Sequence, residues 1–241
     1  MANLFSKSAI KQAISMYQWL DISREIAIVQ ELYDDFRKGN MKDETRYEQN
    51  FNELFFHQLL GYDPKMNFHP KASTPVGSKI ADVWLGFFAE GLYSYEGVKV
   101  VVELKWCETM LDKKQASYGG QSPVDQGFGY KTSFTHCPWL IVSNFASVRL
   151  YRDNKQDFEV RTIEELANPE NDYYHLKTLL ALLKRSHLIS ASGKSYTETI
   201  LSEVRIKQEQ ITKDFYKQYK TLRLELINDI RQHNTDVTVE V

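Results

Sequence analysis

The sequence predicts an α/β or α+β core with a helical tail, and three observations carry that prediction. The first third has amphipathic helical periodicity, and the middle is a series of β-rich runs punctuated by Gly and Pro. From about residue 190 the composition changes to a small-polar linker followed by one long amphipathic helix. At 241 residues, 42% hydrophobic and 26% charged, the chain is long enough to bury a sizeable core, which fits one soluble domain plus an appendage.

The elements follow in order. Ser23 would cap a helix whose apolar positions Ile26, Val29, Tyr33 and Phe36 recur every three or four residues, and Gly39 would end it. Asp43 would cap a second helix that runs to Gly61 and buries Phe51, Leu54, Phe55 and Leu59. Residues 64–78, rich in Pro, Lys and small side chains, read as loop. KIADVWLGF and VKVVVELKW read as strands, with Gly91 and Gly97 flanking the turn between them. Past Gly119, Gly120 and Pro123 a helix is expected around DQGFGYKTSF, and then two strands, PWLIVSN and SVRLYRD, about a tight turn at Phe145 and Ala146. Thr162 with Glu165 is a capping-box pattern, and YYHLKTLLALLKR continues as helix. SASGKS is the linker. Leu201, Val204, Ile211, Phe215, Tyr219, Leu222, Leu226 and Ile230 then form one stripe of the long helix. The expected division is a domain over 1–189 and a helical connector over 190–241.

Several classes are excluded. No apolar run is long enough to span a membrane, and MANLFSKSAIKQ lacks a secretory pattern. Cys107 and Cys137 make neither a metal-ligand spacing nor a disulfide framework, as expected in a reducing cytoplasm. The six histidines are scattered, and the GKS of SASGKS lacks the upstream Gly and strand of a phosphate-binding loop. A net charge of −2 also weighs against a chain coated in basic residues for nucleic acid.

The chemistry lies in the two central strands. Glu103 and Lys105 stand two apart and project from one side of their strand, and a hairpin pairing would bring Asp82 to the same side. Val100, Val101, Val102 and Leu104 mark that strand as buried on both faces, so its acid and base need compensation. Carboxylate oxygens are hard ligands suited to Mg²⁺, and a neighbouring Lys can offset phosphorane charge or activate water. The plainer reading of Glu-x-Lys is a surface ion pair. Gln126 and Tyr130 share a helix face. Glu48 shares another with Phe51 and Phe55, and Glu44 is its rival. Taken singly, these are helix-surface groups and helix-start acids.

In order, Glu48, the FNELFFHQLLGYD stretch, Asp82 of KIADVWL, Glu103 and Lys105 of VVVELKW, Gln126 and Tyr130 of QSPVDQGFGYK, and WLIVSNFASVRLY resemble the PD-(D/E)xK nuclease superfamily. More narrowly, they resemble the N-terminal endonuclease domain of type IIG restriction-modification enzymes. The resemblance covers roughly residues 40 to 155, and Ala81 stands where the family name has Pro. It implies an α/β restriction-endonuclease-like core: a central mixed sheet flanked by helices, with a helical C-terminal extension. It further implies Mg²⁺, with Mn²⁺ as a substitute, held by Asp82, Glu103 and the Leu104 backbone carbonyl. Glu48 would reach the site directly or through water, Lys105 would act on the attacking water, and Gln126 and Tyr130 would orient the site and contact DNA.

The implied activity is site-specific hydrolysis of double-stranded DNA in a prokaryotic cytoplasm. Methyltransferase and target-recognition domains would lie on the same full-length chain or on a partner subunit, with no membrane partner. The tail resembles the connector leading to such a methyltransferase, although no NPPY-like tetrapeptide or glycine-rich cofactor loop occurs in the sequence. The chain is expected to be an excised fragment or a standalone nuclease subunit. Alternatives are a degenerate nuclease fold used for docking or assembly, a repair or recombination nuclease, or a type I restriction subunit. Lys65, Lys71, Lys79, Lys105, Lys113, Lys114 and Lys131 are expected to frame the site.

Overall fold

A computed structural model describes residues 2–233 apart from 18, 20, 74–79, 90–93, 117 and 118. Lys79, Gly91 and the end of the 64–78 segment therefore lie outside the described residues, as does the side chain of Glu44.

β1 (Ala2–Asn3) leads into α1 (Lys7–Met16), which Ser6 caps by accepting the Ala9 N–H. α2 (Ser23–Lys38) ends at Gly39 in the left-handed region, as its sequence suggests. Its start and buried face differ from expectation. Ser23 is the first helical residue and bonds Asp21, and the face that packs inward is Ile28, Val29 and Leu32, with Phe36 exposed. Apolar residues on more than one side of α2 made both phases compatible with helical spacing.

Asp43 caps α3 (Glu44–Phe51) by accepting the Arg46 N–H. The helix then widens into a π-helical segment (Asn52–Leu59), so Leu54, Phe55, Phe56 and Leu59 are all buried rather than one α-helical stripe. β2 (Phe68–Ser73) occupies the stretch read as loop. It is the edge strand of the sheet, where Pro70 is tolerated.

β3 (Ile80–Gly86), β4 (Val98–Leu104), α4 (Pro123–Lys131), β5 (Trp139–Ser143) and β6 (Ser147–Tyr151) fall where the sequence expects them. β7 (Asp157–Thr162) is an additional strand beyond those the sequence predicts. It is followed by α5 (Ile163–Ala167), α6 (Glu170–Leu183), α7 (Arg185–Leu188) and α8 (Tyr196–His233).

The strands form one mixed sheet in the order β1-β7-β6-β5-β4-β3-β2. β4 with β5 and β1 with β7 are parallel, and the other pairs are antiparallel. The architecture is therefore α/β, a mixed sheet flanked by helices. α4 covers one face with Trp84, Val101, Leu140, Val142 and Tyr151 beneath it. Gly127 permits this close approach, because a Cβ there would stand 2.7 Å from Leu140 Cδ1. On the other face, Val148 and Leu150 meet Leu179, Leu182 and Leu183 of α6. The chain divides into two compact units, Met1–Ile200 and Leu201–Val241. In the second, Ile211, Phe215, Tyr219, Leu222 and Leu226 are exposed along the helix. No helix among the described residues is long and apolar enough to cross a membrane.

Candidate active site

The β3–β4 register pairs Val83 with Val102, so one residue further Asp82 stands opposite Glu103. Each lies two positions from a residue under α4, Trp84 and Val101 respectively, which puts both carboxylates on the α4 face. Glu103 is 2% exposed and Lys105 5%, so the Glu-x-Lys of β4 is not a surface ion pair.

The Lys105 ammonium is the centre of the cluster. It donates to Glu103 Oε1 at 2.5 Å and to the Leu104 carbonyl at 2.8 Å, and lies 3.9 Å from Asp82 Oδ2. That Asp82 oxygen also accepts the Leu104 backbone N–H at 2.7 Å, which ties the two strands together at the site. The Lys105 N–H donates to the Ser143 carbonyl at 2.8 Å, extending the β4–β5 ladder past the end of β4 and fixing the direction of the side chain.

Tyr130 of α4 faces this cluster. Its phenol pKa is raised, first by burial and then by the Glu103 carboxylate, with Asp82 adding to it and Lys105 opposing. The phenol therefore stays a neutral donor through the physiological range. α4 is held in place by a reciprocal cap between Ser122 and Asp125, with Pro123 in its first turn. Gln126 is half-buried one turn before Tyr130, on the same helical face.

Glu48 is buried, as its place beside Phe51 suggests, and its carboxylate pairs with Lys71 Nζ at 2.8 Å. Lys71 falls between the Pro70–Val83 and Ala72–Ala81 pairs, opposite Asp82. Glu48 is thus tied to the strand position opposite Asp82 through Lys71, a partner that only the β2–β3 pairing reveals. Lys131 departs from expectation. Its amine donates to the Arg152 carbonyl, past the end of β6 that lies beside the start of β5, away from the carboxylates. Partial burial and that bond, rather than site framing, account for the lysine. Cys137, next to His136, is buried, and its thiol is pushed up to about 12 by burial, which leaves it inert as a nucleophile.

Among the described residues no three His, Cys, Asp or Glu side chains converge into a metal cage. The donor set is two carboxylates and one backbone carbonyl, all turned toward a single cationic centre, the Lys105 ammonium. Such a set suits Mg²⁺, which prefers hard oxygens and retains several waters, so it does not need a full protein cage. The residues fit the ion.

The chain matches no protein-family model, no curated protein and no solved structure. The site's own geometry has to carry its chemistry.

Proposed function

We propose that this chain is a Mg²⁺-dependent endodeoxyribonuclease domain of a restriction-modification system, built on a PD-(D/E)xK restriction-endonuclease-like core. The observation that carries the reading is the convergence of Asp82, Glu103 and the Leu104 carbonyl on one buried cationic point. Bound Mg²⁺ (or Mn²⁺) would supply Lewis acidity toward the phosphate and toward water.

The chain's own residues supply the rest. Asp82, Glu103 and the Leu104 carbonyl would hold the ion. Lys105, released from Glu103, orients the attacking water and offsets charge that develops on the phosphoryl oxygens. Tyr130 donates from its neutral phenol, and Gln126 lies beside it toward the DNA. Glu48 and Lys71 brace the outer edge next to Asp82. Attack is in line with the leaving 3′ oxygen and leaves a 5′-phosphate. Affinity and sequence choice for double-stranded DNA come from methyltransferase and target-recognition domains, which accounts for a net charge of only −2.

The test combines plasmid cleavage in Mg²⁺ or Mn²⁺ with calorimetric metal titration of wild type, Asp82→Ala and Lys105→Ala. The expected pattern is that Asp82→Ala loses both metal binding and cutting. Lys105→Ala loses cutting by a factor of about 10² or more, yet still binds metal. Wild type that takes up no metal, or equal cutting by all three proteins, defeats the reading. Metal-independent DNA binding with no metal uptake would instead mark a docking module.

A further inference from the structure

The α4 face carries a second polar feature in line with the carboxylates. The β4–β5 register sets Glu103 beside Val142, and the β5–β6 register sets Val142 beside Arg149. Asp82, Glu103, Val142 and Arg149 therefore form one row across four strands. With strands about 4.8 Å apart, the Arg149 backbone lies about 10 Å from that of Glu103.

A cleft of about 620 Å³ opens beside Arg149, walled by the 107–113 loop that follows Lys105 and by Asn144 and Ser147. Two of its groups are buried without a hydrogen-bond partner: the hydroxyl of Thr109, a residue only 4% exposed, and Nε of Arg149. Both can donate. The wall that holds them is cross-linked through Asn144, so a small shift of the 107–113 loop is what uncovers the two donors. Asn144 Nδ2 donates to the Cys107 and Thr109 carbonyls at 3.1 and 3.0 Å, and its Oδ1 accepts from the Ser147 N–H and hydroxyl at 2.8 and 2.9 Å.

Arg149 is fixed as well. Its Nη1 donates to Asp112 at 2.8 Å and to the Tyr151 hydroxyl at 3.3 Å, and its guanidinium lies 4.8 Å from the centre of the Phe158 ring. The acids of the cleft already have cations: Asp112 has Arg149, and Glu108 pairs with Lys42 at 3.3 Å. Lys113 stands exposed at the rim.

Buried donors that lack an acceptor, on a cross-linked wall with an exposed lysine at its rim, select an oxygen acceptor and most strongly an anionic one. We propose that this cleft binds a backbone phosphate of the DNA strand whose scissile phosphate sits at Asp82 and Glu103. The inference rests on the nuclease reading for its choice of DNA. Successive phosphates of one strand rise about 3.4 Å along the axis and also wind around it, so a span of about 10 Å separates near neighbours and both phosphates can belong to one strand. The Thr109 hydroxyl and Arg149 Nε–H donate to its oxygens, and Lys113 contributes charge.

Metal-free protein is titrated with inorganic phosphate and, separately, with a short labelled duplex, following backbone amide shifts and fluorescence anisotropy. Thr109→Val, Thr109→Ser and Asp82→Ala are run alongside. Phosphate is expected to shift signals in the 107–113 loop and at Arg149. Thr109→Val should weaken both probes about tenfold, as loss of one hydrogen bond to a charged group implies, while Thr109→Ser restores them. Asp82→Ala should leave phosphate binding intact. Unchanged binding of both probes by Thr109→Val overturns the site. Loss of free phosphate binding with duplex binding unaltered overturns the assignment to DNA in favour of a small phosphorylated ligand. Plasmid cutting by Asp82→Ala at the wild-type rate would sink the nuclease reading alone, leaving the phosphate data to stand.

Discussion

Two buried ion pairs of the same local form sit on opposite faces of one sheet. Glu103 and Lys105 lie two apart at the end of β4 and meet at 2.5 Å; Glu159 and Arg161 lie two apart in β7 and meet at 2.6 Å. The surroundings differ. The first pair faces α4 with Asp82, the Leu104 carbonyl and Tyr130 around the ammonium. The second lies among Val148, Leu150, Leu179 and Leu182, under α6. Burial raises the Glu159 pKa, with Arg161 opposing, and the other carboxylate it feels, Glu165, is engaged in the cap of α5. An acid and a base two apart in a strand therefore specify nothing by themselves. A second carboxylate and a carbonyl aimed at the same point distinguish the pair that we propose to be reactive from the one that only packs.

Replacing each pair by leucines breaks or sharpens that contrast most strongly. Glu159→Leu with Arg161→Leu should keep cleavage at the wild-type rate and leave stability unchanged or higher by about 1–4 kcal/mol, since well-packed apolar side chains often replace a buried pair without loss. Arg161→Leu alone should cost about 3–5 kcal/mol, because it strands a buried carboxylate. Glu103→Leu with Lys105→Leu should also fold, yet cut plasmid at least about 10²-fold more slowly. Thermal melts and cleavage rates on the same preparations check all three. Cleavage lost in the β7 double variant and kept in the β4 one would invert the roles assigned to the two faces.

What the sequence made legible follows from where the signals are local. Asp82, Glu103 and Lys105 could be read because β3 and β4 are continuous apolar runs, in which any charged residue stands out. β7 reads DFEVRT, half polar with no such contrast, so neither the strand nor its ion pair was visible. Pro70 gave β2 the look of a loop, because local rules for Pro do not know which strand is at an edge. The partners that register supplies were out of reach for the same reason. Lys71 meets Glu48, and Arg149 joins the carboxylate row, only through pairings between distant segments. SVRLYRD read as a hairpin strand without chemistry, and across the sheet it brings a cation to the site's face.

A smaller effect tests how the α4 face is assembled. A side chain at Gly127 would push into Leu140, which is fully buried in β5, so Gly127→Val should destabilise by about 1–3 kcal/mol through overpacking. Because Tyr130 is carried on the same helix, cleavage should fall further than Mg²⁺ affinity does. Denaturant melts with paired metal titrations measure both. Equal losses of metal affinity and rate would mean that α4 is only a lid over the core and has no part in positioning Tyr130.

The smallest effect concerns the same helix in acid. Asp125 closes the cap of α4: its carboxylate accepts from the Ser122 N–H at 3.0 Å and from the Ser122 hydroxyl at 2.8 Å, and Lys155 also donates to it. The Lys155 ammonium first, and the Ser122 bonds next, hold its pKa well below the ordinary 3.8. A carboxyl with a depressed folded-state pKa stabilises the fold above its unfolded value and loses that contribution as pH falls through the folded one. α4 should therefore loosen only below about pH 4, beginning near the unfolded value of the carboxyl. Asp125→Asn should flatten the acid limb of the stability profile and cost about 1 kcal/mol at neutral pH, since the Lys155 pair it loses is solvent-screened and the amide oxygen still accepts from Ser122. Glu159 works in the opposite sense. Its raised pKa makes its contribution greatest in acid and lost as pH rises through the folded value, so Glu159→Gln should change the profile above that of an ordinary glutamate, where Asp125→Asn changes it below that of an ordinary aspartate. Chemical denaturation across pH for the two single variants resolves the limbs. A profile in which both variants move the same limb would show that the two faces do not titrate independently, and the contrast between them would fail on electrostatic grounds.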